Sequence, residues 1–272
     1  MKYKVGDLFL NVEERGSGKP TLVFLHYWGG SRRTWSKVID GLKDSFHCIA
    51  YDQRGWGESD APSEAYSISD LANDAVLLIE AMDFDQYVLV GHSMGGKVAQ
   101  LVASRNPTGL TGLVLVAPAP PTAVHLPEPV REQQIHAYDN RENVLQAIAF
   151  LTARVPAPEV VEQIVEDSLR GSAGAKIAWP TQAIMEDISA EVSRIKVPTL
   201  VLAGENDRLD TVEQHRREIL PRIRGSELEM TTRSGHLSPI DEPGQVAAAI
   251  FRFVKGLTPV EETADHPGRV YL

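Results

Sequence analysis

The stretch that decides the fold reads Tyr87-Val88-Leu89-Val90-Gly91-His92-Ser93-Met94-Gly95. Its first four residues form a continuous apolar run, which predicts a strand that is buried on both faces and so belongs to a parallel sheet. The next five residues fit the pattern G-x-S-x-G, in which a serine stands on a sharp turn between a strand and a helix. Residues 98–104 then have helical periodicity. Strand, turn and helix occur in the order that the pattern requires, so Ser93 is a candidate nucleophile.

Similar apolar runs recur on both sides of this stretch. They lie at residues 21–25, 113–116 and 199–203. Residues 68–82 have helical periodicity, and Ser67 with Asp70 fits a capping box at their start. Strands that alternate with helices are typical of βαβ units, in which helices cover both faces of the sheet. The sequence therefore predicts an α/β fold with a mostly parallel central sheet, and the residues before the turn at 16–20 predict an antiparallel hairpin at its edge.

The alternation of strands and helices ends after Val116. A proline-rich exit at 117–121 is followed by residues with helical periodicity and no strand pattern, up to about residue 193. We interpret residues 118–193, called the cap segment below, as a helical insertion over the carboxyl edge of the sheet. It interrupts a core domain formed by residues 1–117 and 194–257. The C-terminal tail, residues 258–272, has two prolines and many charges and is expected to be loosely ordered.

Composition excludes several classes of protein. The 272 residues contain 27 Lys and Arg against 37 Asp and Glu, a net charge of -10, which argues against a nucleic-acid partner because phosphate backbones need clustered positive charge. The single cysteine, Cys48, fits a reducing compartment. We find neither an N-terminal apolar run typical of a signal peptide nor a stretch near the ~20 apolar residues of a membrane helix. We therefore expect a cytoplasmic protein without a membrane partner, whose oligomeric state the sequence does not specify.

A serine hydroxyl is a poor nucleophile unless a base removes its proton and an acid orients that base. His236, on a predicted loop, is the candidate base. Asp207, just beyond a predicted strand, is the candidate acid, and Glu205 and Asp210 are the alternatives nearby. The chain order Ser93, Asp207, His236 is the order expected when all three side chains project from the carboxyl edge of one sheet. The pattern predicts acyl transfer from a small molecule with a carbonyl group.

The tetrahedral intermediate of acyl transfer carries an oxyanion, which needs two preorganised donors. We predict the backbone N–H of Met94 as one donor, because it follows the nucleophile directly at a helix start. The second predicted donor is the backbone N–H of Trp28, in the loop His26-Tyr27-Trp28-Gly29-Gly30. The histidines outside these motifs form no metal-ligand spacing, so we expect no metal and no cofactor.

With these residues in place, the chain resembles the α/β-hydrolase superfamily over about residues 1–256. The matching motifs are His26-Tyr27-Trp28-Gly29-Gly30, Asp52-Gln53-Arg54-Gly55-Trp56-Gly57-Glu58-Ser59, Gly91-His92-Ser93-Met94-Gly95-Gly96, Gly204-Glu205-Asn206-Asp207 and Gly235-His236. The resemblance implies a serine esterase-like or lipase-like member with a helical cap. It also implies Ser93 as nucleophile, Asp207 as acid and His236 as base.

One residue departs from the family's pattern. The family usually has glycine directly after the first histidine of the oxyanion loop, where this chain has Tyr27. If that position required a positive φ, tyrosine would be strained there. The loop then has a different shape, or the Tyr27 hydroxyl itself donates a hydrogen bond.

We predict that Tyr27, Phe150, Trp179 and Leu237 contribute to a substrate pocket between cap and sheet, although each is equally compatible with an ordinary core position. The favoured function is cleavage of a small carboxylic ester or lactone through an acyl-enzyme. The first alternative is another reaction on the same triad, such as amide or C–C bond cleavage, perhydrolysis or lyase chemistry. A second is a non-catalytic ligand-binding member of the fold. A third is a phosphate loop, since residues 91–97 match G-x-x-x-x-G-K, but Val98 stands where Mg²⁺ binding needs Ser or Thr.

Overall fold

The computed structural model describes residues 1–257, so the prediction for the tail at 258–272 lies outside the described residues. The strands of this part of the chain are Lys2–Val5 (β1), Leu8–Arg15 (β2), Thr21–Leu25 (β3), His47–Tyr51 (β4), Tyr87–His92 (β5), Leu110–Val116 (β6), Thr199–Gly204 (β7) and Glu227–Thr231 (β8). Its helices are Ser36–Asp40 (α1), Ile68–Met82 (α2), Met94–Ser104 (α3), Glu128–Ile135 (α4), Arg141–Leu151 (α5), Pro158–Arg170 (α6), Ala173–Thr181 (α7), Ser189–Val192 (α8), Val212–Glu218 (α9), Ser238–Asp241 (α10) and Pro243–Gly256 (α11).

The strands form one sheet in the order β1-β2-β4-β3-β5-β6-β7-β8. The pairs from β4 through β8 are parallel, while β1 with β2 and β2 with β4 are antiparallel. The predicted α/β fold, with a mostly parallel sheet and an antiparallel hairpin at one edge, is confirmed. The predicted capping box is also present, since the Ser67 hydroxyl accepts from the N–H of Asp70 and the Asp70 carboxylate accepts from the N–H of Ser67.

The apolar strands are buried because helices cover the sheet on both faces. Within β3, Val23 and Leu25 belong to the core cluster on the side of α2 and α3, whereas Phe24 belongs to the cluster on the side of α1 and α11. Successive side chains of a strand point to opposite faces, so an unbroken apolar run supplies both clusters. On the second side, Trp35 is completely buried against Phe24, with ring centroids 5.1 Å apart.

Five helices, α4 to α8, lie between β6 and β7, and residues 118–193 contain no strand. This agrees with the helical pattern of the cap segment, while the domain boundaries stay a prediction. The parallel strands β3, β5, β7 and β8 end at one edge of the sheet, which brings the loops after these strands together. None of the helices in residues 1–257 has the length and apolar character needed to cross a bilayer.

Candidate active site

Ser93 stands on the turn between β5 and α3. Its backbone has φ 54° and ψ -117°, in the left-handed region that non-glycine residues rarely adopt. Two glycines permit this turn: a Cβ at Gly91 would lie 2.4 Å from the carbonyl oxygen of Gly95, and one at Gly95 would lie 2.5 Å from that of His26. The helix therefore starts close against the sheet, with the serine held at its N-terminus. Such strain persists only where the surrounding structure fixes it.

The three predicted side chains of the triad form a hydrogen-bonded chain. Ser93 Oγ lies 2.8 Å from Nε2 of His236, and Nδ1 of His236 lies 2.9 Å from Oδ2 of Asp207. All three residues are buried. A hydroxyl within hydrogen-bond reach of a base, which an acid orients in turn, is the arrangement that activates a serine nucleophile.

The turn after β7 decides which carboxylate faces the histidine. The N–H of Asp207 donates to the carbonyl of Gly204 at 3.1 Å, and Oδ1 of Asp207 accepts from the N–H groups of Leu209 at 2.8 Å and Asp210 at 3.0 Å. Its second oxygen is thereby aimed at His236. Glu205 is exposed and accepts from the N–H of Arg233, whereas Asp210 Oδ2 lies 3.9 Å from Nδ1 of His236.

The interaction between Asp207 and His236 lowers the pKa of the carboxyl group and raises that of the imidazole. Burial acts to lower the pKa of His236, but the charge of Asp207 and its hydrogen bond outweigh burial, so the pKa lies above its ordinary value. Burial acts to raise the pKa of Asp207, but the charge of His236, its hydrogen bond and the two backbone N–H groups hold it below its ordinary value. Asp207 is therefore ionised at neutral pH and stabilises an imidazolium.

The loop that carries His236 is anchored on both sides. The Asp241 carboxylate accepts from the N–H groups of Gly235 at 2.8 Å and Ala153 at 2.9 Å, which joins the loop to the end of α5. The N–H of Leu237 donates to the carbonyl of Leu151 at 3.0 Å. Leu237 is completely buried in the core and is not among the residues that line the cavity beside Ser93. Its prediction as a substrate-binding residue is therefore wrong.

The oxyanion loop after β3 is not strained at Tyr27. Tyr27 lies outside the positive-φ region, and the left-handed residue of the loop is Gly29, with φ 93°. The Tyr27 ring instead packs against the His92 ring, with centroids 5.2 Å apart. Within residues 1–257, the backbone N–H groups of Trp28 and Met94 donate no hydrogen bond. Their roles as oxyanion donors stay a prediction.

Side chains from the cap segment support this loop. The Tyr138 hydroxyl donates to the carbonyl of Trp28 at 2.9 Å, and the Ser168 hydroxyl donates to the carbonyl of Gly29 at 2.8 Å. Trp28 Nε1 donates to the carbonyl of Lys176 at 3.1 Å, and its ring packs on Tyr138 with centroids 4.3 Å apart. Sequence reasoning missed Tyr138 and Ser168, because neither belongs to a motif.

A cavity of about 630 Å³ lies between the cap segment and the sheet edge, and both Ser93 and His236 line it. Of the predicted substrate-binding residues, Tyr27, Phe150 and Trp179 line the cavity. Its other apolar lining residues are Trp28, Leu126, Pro129, Val130, Ala137, Tyr138, Ala147, Leu151 and Leu209. The polar lining residues away from the serine are Glu132, Gln133, Gln134, His136, Asn143 and Gln146. No lysine or arginine is among the described residues that line it.

Lys97 argues against a phosphate loop. Its side chain is completely buried, and Nζ donates to the carbonyl oxygens of Thr122 and Ile184 at 3.3 Å. Burial lowers the pKa of this lysine to about 8. The amine therefore faces carbonyls of the cap segment instead of an open anion site. Over residues 1–257, no cluster of three or more His, Cys, Asp or Glu side chains could hold a metal ion.

Comparisons with known proteins identify the family of this chain. A model of the alpha/beta hydrolase family matches residues 22–249. The 3-oxoadipate enol-lactonase 2 of Acinetobacter baylyi is 29% identical over 246 residues, which are 87% of this chain and 90% of the relative. The 2-(acetamidomethylene)succinate hydrolase of Mesorhizobium japonicum is 28% identical over 216 residues, 75% of this chain and 77% of the relative.

Among solved structures, an esterase from Exiguobacterium antarcticum superimposes with a TM-score of 0.87 at 23% identity and covers 93% of this chain and 98% of its own. At that identity the superposition shows the fold alone. The sheet order, the turn at Ser93 between β5 and α3, and the family match over most of the chain all point to one assignment. The chain belongs to the α/β hydrolase family and, with it, to the hydrolases.

Proposed function

We propose that this protein is a serine hydrolase that cleaves a carboxylic ester or lactone through an acyl-enzyme. The observation that carries the proposal is the hydrogen-bonded chain of Ser93, His236 and Asp207 beside a cavity large enough for a substrate. The relatives named for lactone and amide-type substrates support hydrolysis at a carbonyl carbon. An ester or a lactone is the favoured substrate class, because an alkoxide is a better leaving group than the nitrogen anion of an amide.

The proposed reaction has two steps. His236 Nε2 takes the proton of Ser93 as Oγ attacks the substrate carbonyl, and then delivers it to the leaving alkoxide. Asp207 holds the Nδ1–H tautomer and stabilises the imidazolium. Water then attacks the acyl-enzyme by the same route and regenerates the serine. The oxyanion of each tetrahedral intermediate accepts from the N–H groups of Met94 and Trp28, each worth about 3 kcal/mol of transition-state stabilisation.

The cavity walls indicate the kind of substrate. Apolar side chains form most of the lining, and the described lining residues include no lysine or arginine. Glu132 on this wall adds negative charge instead. The pKa of His136 on this wall is raised by its hydrogen bonds with Asp139 and Glu132, so its positive charge is already paired with these two carboxylates. We therefore propose an uncharged substrate with a sizeable apolar group. This sets the chain apart from two of its relatives, because 3-oxoadipate and succinate, the compounds in their names, carry carboxylate groups.

Two methyl esters of equal chain length, which differ in one terminal carboxylate, test this specificity. We expect kcat/KM for methyl octanoate to exceed that for monomethyl octanedioate by about 100-fold, because the extra carboxylate would be buried without a partner. Rates are measured by alkali consumption at constant pH. Gln146→Arg should narrow the ratio at least about tenfold by adding a cation to the wall, whereas Gln146→Met, the uncharged control, should not. Equal rates for the two esters would contradict an uncharged substrate.

Labelling with a fluorophosphonate tests the chemistry itself. We expect one covalent adduct, located at Ser93 by peptide mass spectrometry, because this probe reacts with serines that a histidine activates. Loss of the adduct in His236→Gln, with the fold retained by circular dichroism, is the matching control. A panel of esters, lactones, amides and C–C substrates then separates the proposed reaction from others on the same triad. Labelling elsewhere, or no labelling, would overturn the serine-hydrolase proposal and favour a ligand-binding protein.

A further inference from the structure

A second buried carboxylate lies beside the catalytic candidates. Oδ2 of Asp210 is 3.9 Å from Nδ1 of His236, the same nitrogen that Asp207 approaches to 2.9 Å. The side chain of Asp210 is only 9% exposed. Its backbone N–H donates to Oδ1 of Asp207 at 3.0 Å, so one turn holds both carboxylates in front of the imidazole.

The groups around Asp210 leave its charge weakly compensated. Oδ1 accepts from the amide of Gln214 on α9 at 2.9 Å. The ionisable groups that face it are Asp207 from its own loop, His236 from the loop after β8 and Lys97 from α3. Lys97 is bonded to carbonyl oxygens of the cap segment and makes no ion pair with Asp210 in the described residues.

Two further titratable side chains face this region, His215 on α9 and His92 at the end of β5, whose ring centroid lies 5.4 Å from that of His236. Both are completely buried, and burial lowers the pKa of His215 to about 4 and that of His92 to about 3, so both are neutral at pH 7. Burial also raises the pKa of Asp210 to about 7, and the negative charge of Asp207 acts in the same direction, against the opposing charge of His236. Asp210 therefore changes its charge in the pH range in which His236 must work as a base.

We propose that Asp210 is a second carboxylate partner of His236, a positioning residue that acts on Nδ1 of the imidazole beside Asp207. Asp210 is protonated and neutral at low pH, and ionises as the pH rises. Once ionised, it favours the imidazolium, so His236 keeps its proton to a higher pH than Asp207 alone would require. When the carboxylate at position 207 is removed, a shift of about 1 Å brings Asp210 into hydrogen-bond range of the Nδ1–H, which it then orients.

The titration of His236, followed by its ¹⁵N imidazole resonances, tests this proposal without reference to any substrate. The resonances are assigned by their loss in His236→Gln. The unsubstituted protein should titrate in two steps, because Asp210 and His236 interact. In Asp210→Asn we expect the midpoint to fall by about half a pH unit or more and the curve to show a single step. Glu205→Gln, the control on the same loop, removes an exposed carboxylate and should leave the curve unchanged. Identical curves for the unsubstituted protein and Asp210→Asn would overturn the proposal.

Stability gives a second readout whose sign is fixed. A carboxyl group whose pKa is raised by folding stabilises the fold below its unfolded pKa, near 3.9, and that stabilisation is lost as the pH rises through about 7. The Tm of Asp210→Asn minus that of the unsubstituted protein should therefore increase by several degrees as the pH rises from 5 to 8.5. Asp210→Val, a second neutral variant, should show the same trend. A Tm difference that does not change with pH in either variant would contradict a buried, titrating Asp210.

A kinetic comparison tests the orienting role and rests on the proposed function. We expect Asp207→Ala/Asp210→Asn to lose at least tenfold more kcat than Asp207→Ala. Equal losses in the single and double variants would show that Asp210 does not orient the imidazole. If the unsubstituted protein hydrolyses no ester, the proposed function fails, and the His236 titration still decides the electrostatic role of Asp210.

Discussion

Ser93→Ala should lower kcat toward a small ester by about 10⁵-fold or more, because the variant has no hydroxyl to form the acyl-enzyme. Within residues 1–257 the Ser93 hydroxyl hydrogen-bonds to His236, so removal of the hydroxyl should leave the fold intact. The measurement is kcat with a p-nitrophenyl ester, together with Tm as a check on folding. Residual turnover then reports only the binding and the oxyanion donors.

The same helix offers a matched control. Ser104, at the other end of α3, is buried and donates from Oγ to the carbonyl of Leu101 at 2.8 Å. Ser104→Ala removes a buried hydroxyl from the same helix, and kcat should stay within about twofold because this side chain is remote from the imidazole. If Ser93→Ala kept a tenth of the original activity, Ser93 would not be the nucleophile.

Asp207→Asn should lower kcat by about 10⁴-fold. The amide of the new asparagine would donate to Nδ1 of His236, which forces the ring proton onto Nε2, the nitrogen that must accept the proton of Ser93. The variant keeps the size of the side chain, so Tm separates this effect from unfolding. Glu205→Gln, a charge-removing control on the same loop, should keep its activity. If Asp210→Asn proved more damaging than Asp207→Asn, the roles of the two carboxylates would be reversed.

The sheet was largely predictable because its central strands are unbroken apolar runs next to glycine-rich turns. The structure extends these runs at their ends, as in Tyr87–His92 and Leu110–Val116, because pairing with neighbouring strands includes polar residues that carry no local signal. His47–Tyr51 was not among the predicted runs. Of its four buried residues, Ile49 and Tyr51 favour a strand whereas Ala50 does not, so the local signal is mixed, and its pairing with β2 and β3 makes it a strand.

Motif context indicated the serine and the histidine, but it put Asp207 ahead of Asp210 only on the expectation of a tight turn after the strand. Asp207 and Asp210 are three residues apart on one loop, and spacing cannot tell which carboxylate faces the imidazole. The tight turn from Gly204 decides it, and this turn depends on backbone hydrogen bonds that only the folded chain forms. The placement of Leu237 was wrong for a related reason. Adjacent residues on a loop point in different directions, so being next to His236 in the sequence does not bring a side chain to the cavity.

The contacts between cap and core had no sequence signal. Tyr138 lies 110 positions from Trp28 in the chain, and Ser168 lies 139 positions from Gly29. Neither residue has a neighbour pattern that distinguishes it from an ordinary helical or loop position. Long-range contacts of this kind depend on how the whole insertion packs, so a single sequence could not reveal them.

Those contacts bear on attempts to re-engineer the protein. The hydroxyls of Tyr138 and Ser168 hold the carbonyls of Trp28 and Gly29, in the loop that carries one proposed oxyanion donor. A chimaera that exchanges residues 118–193 for the equivalent part of a relative would change the pocket and release that loop at once. Donor segments that supply a hydroxyl at both points are therefore the ones to graft, and a truncated variant without the segment is a poor starting scaffold for directed evolution.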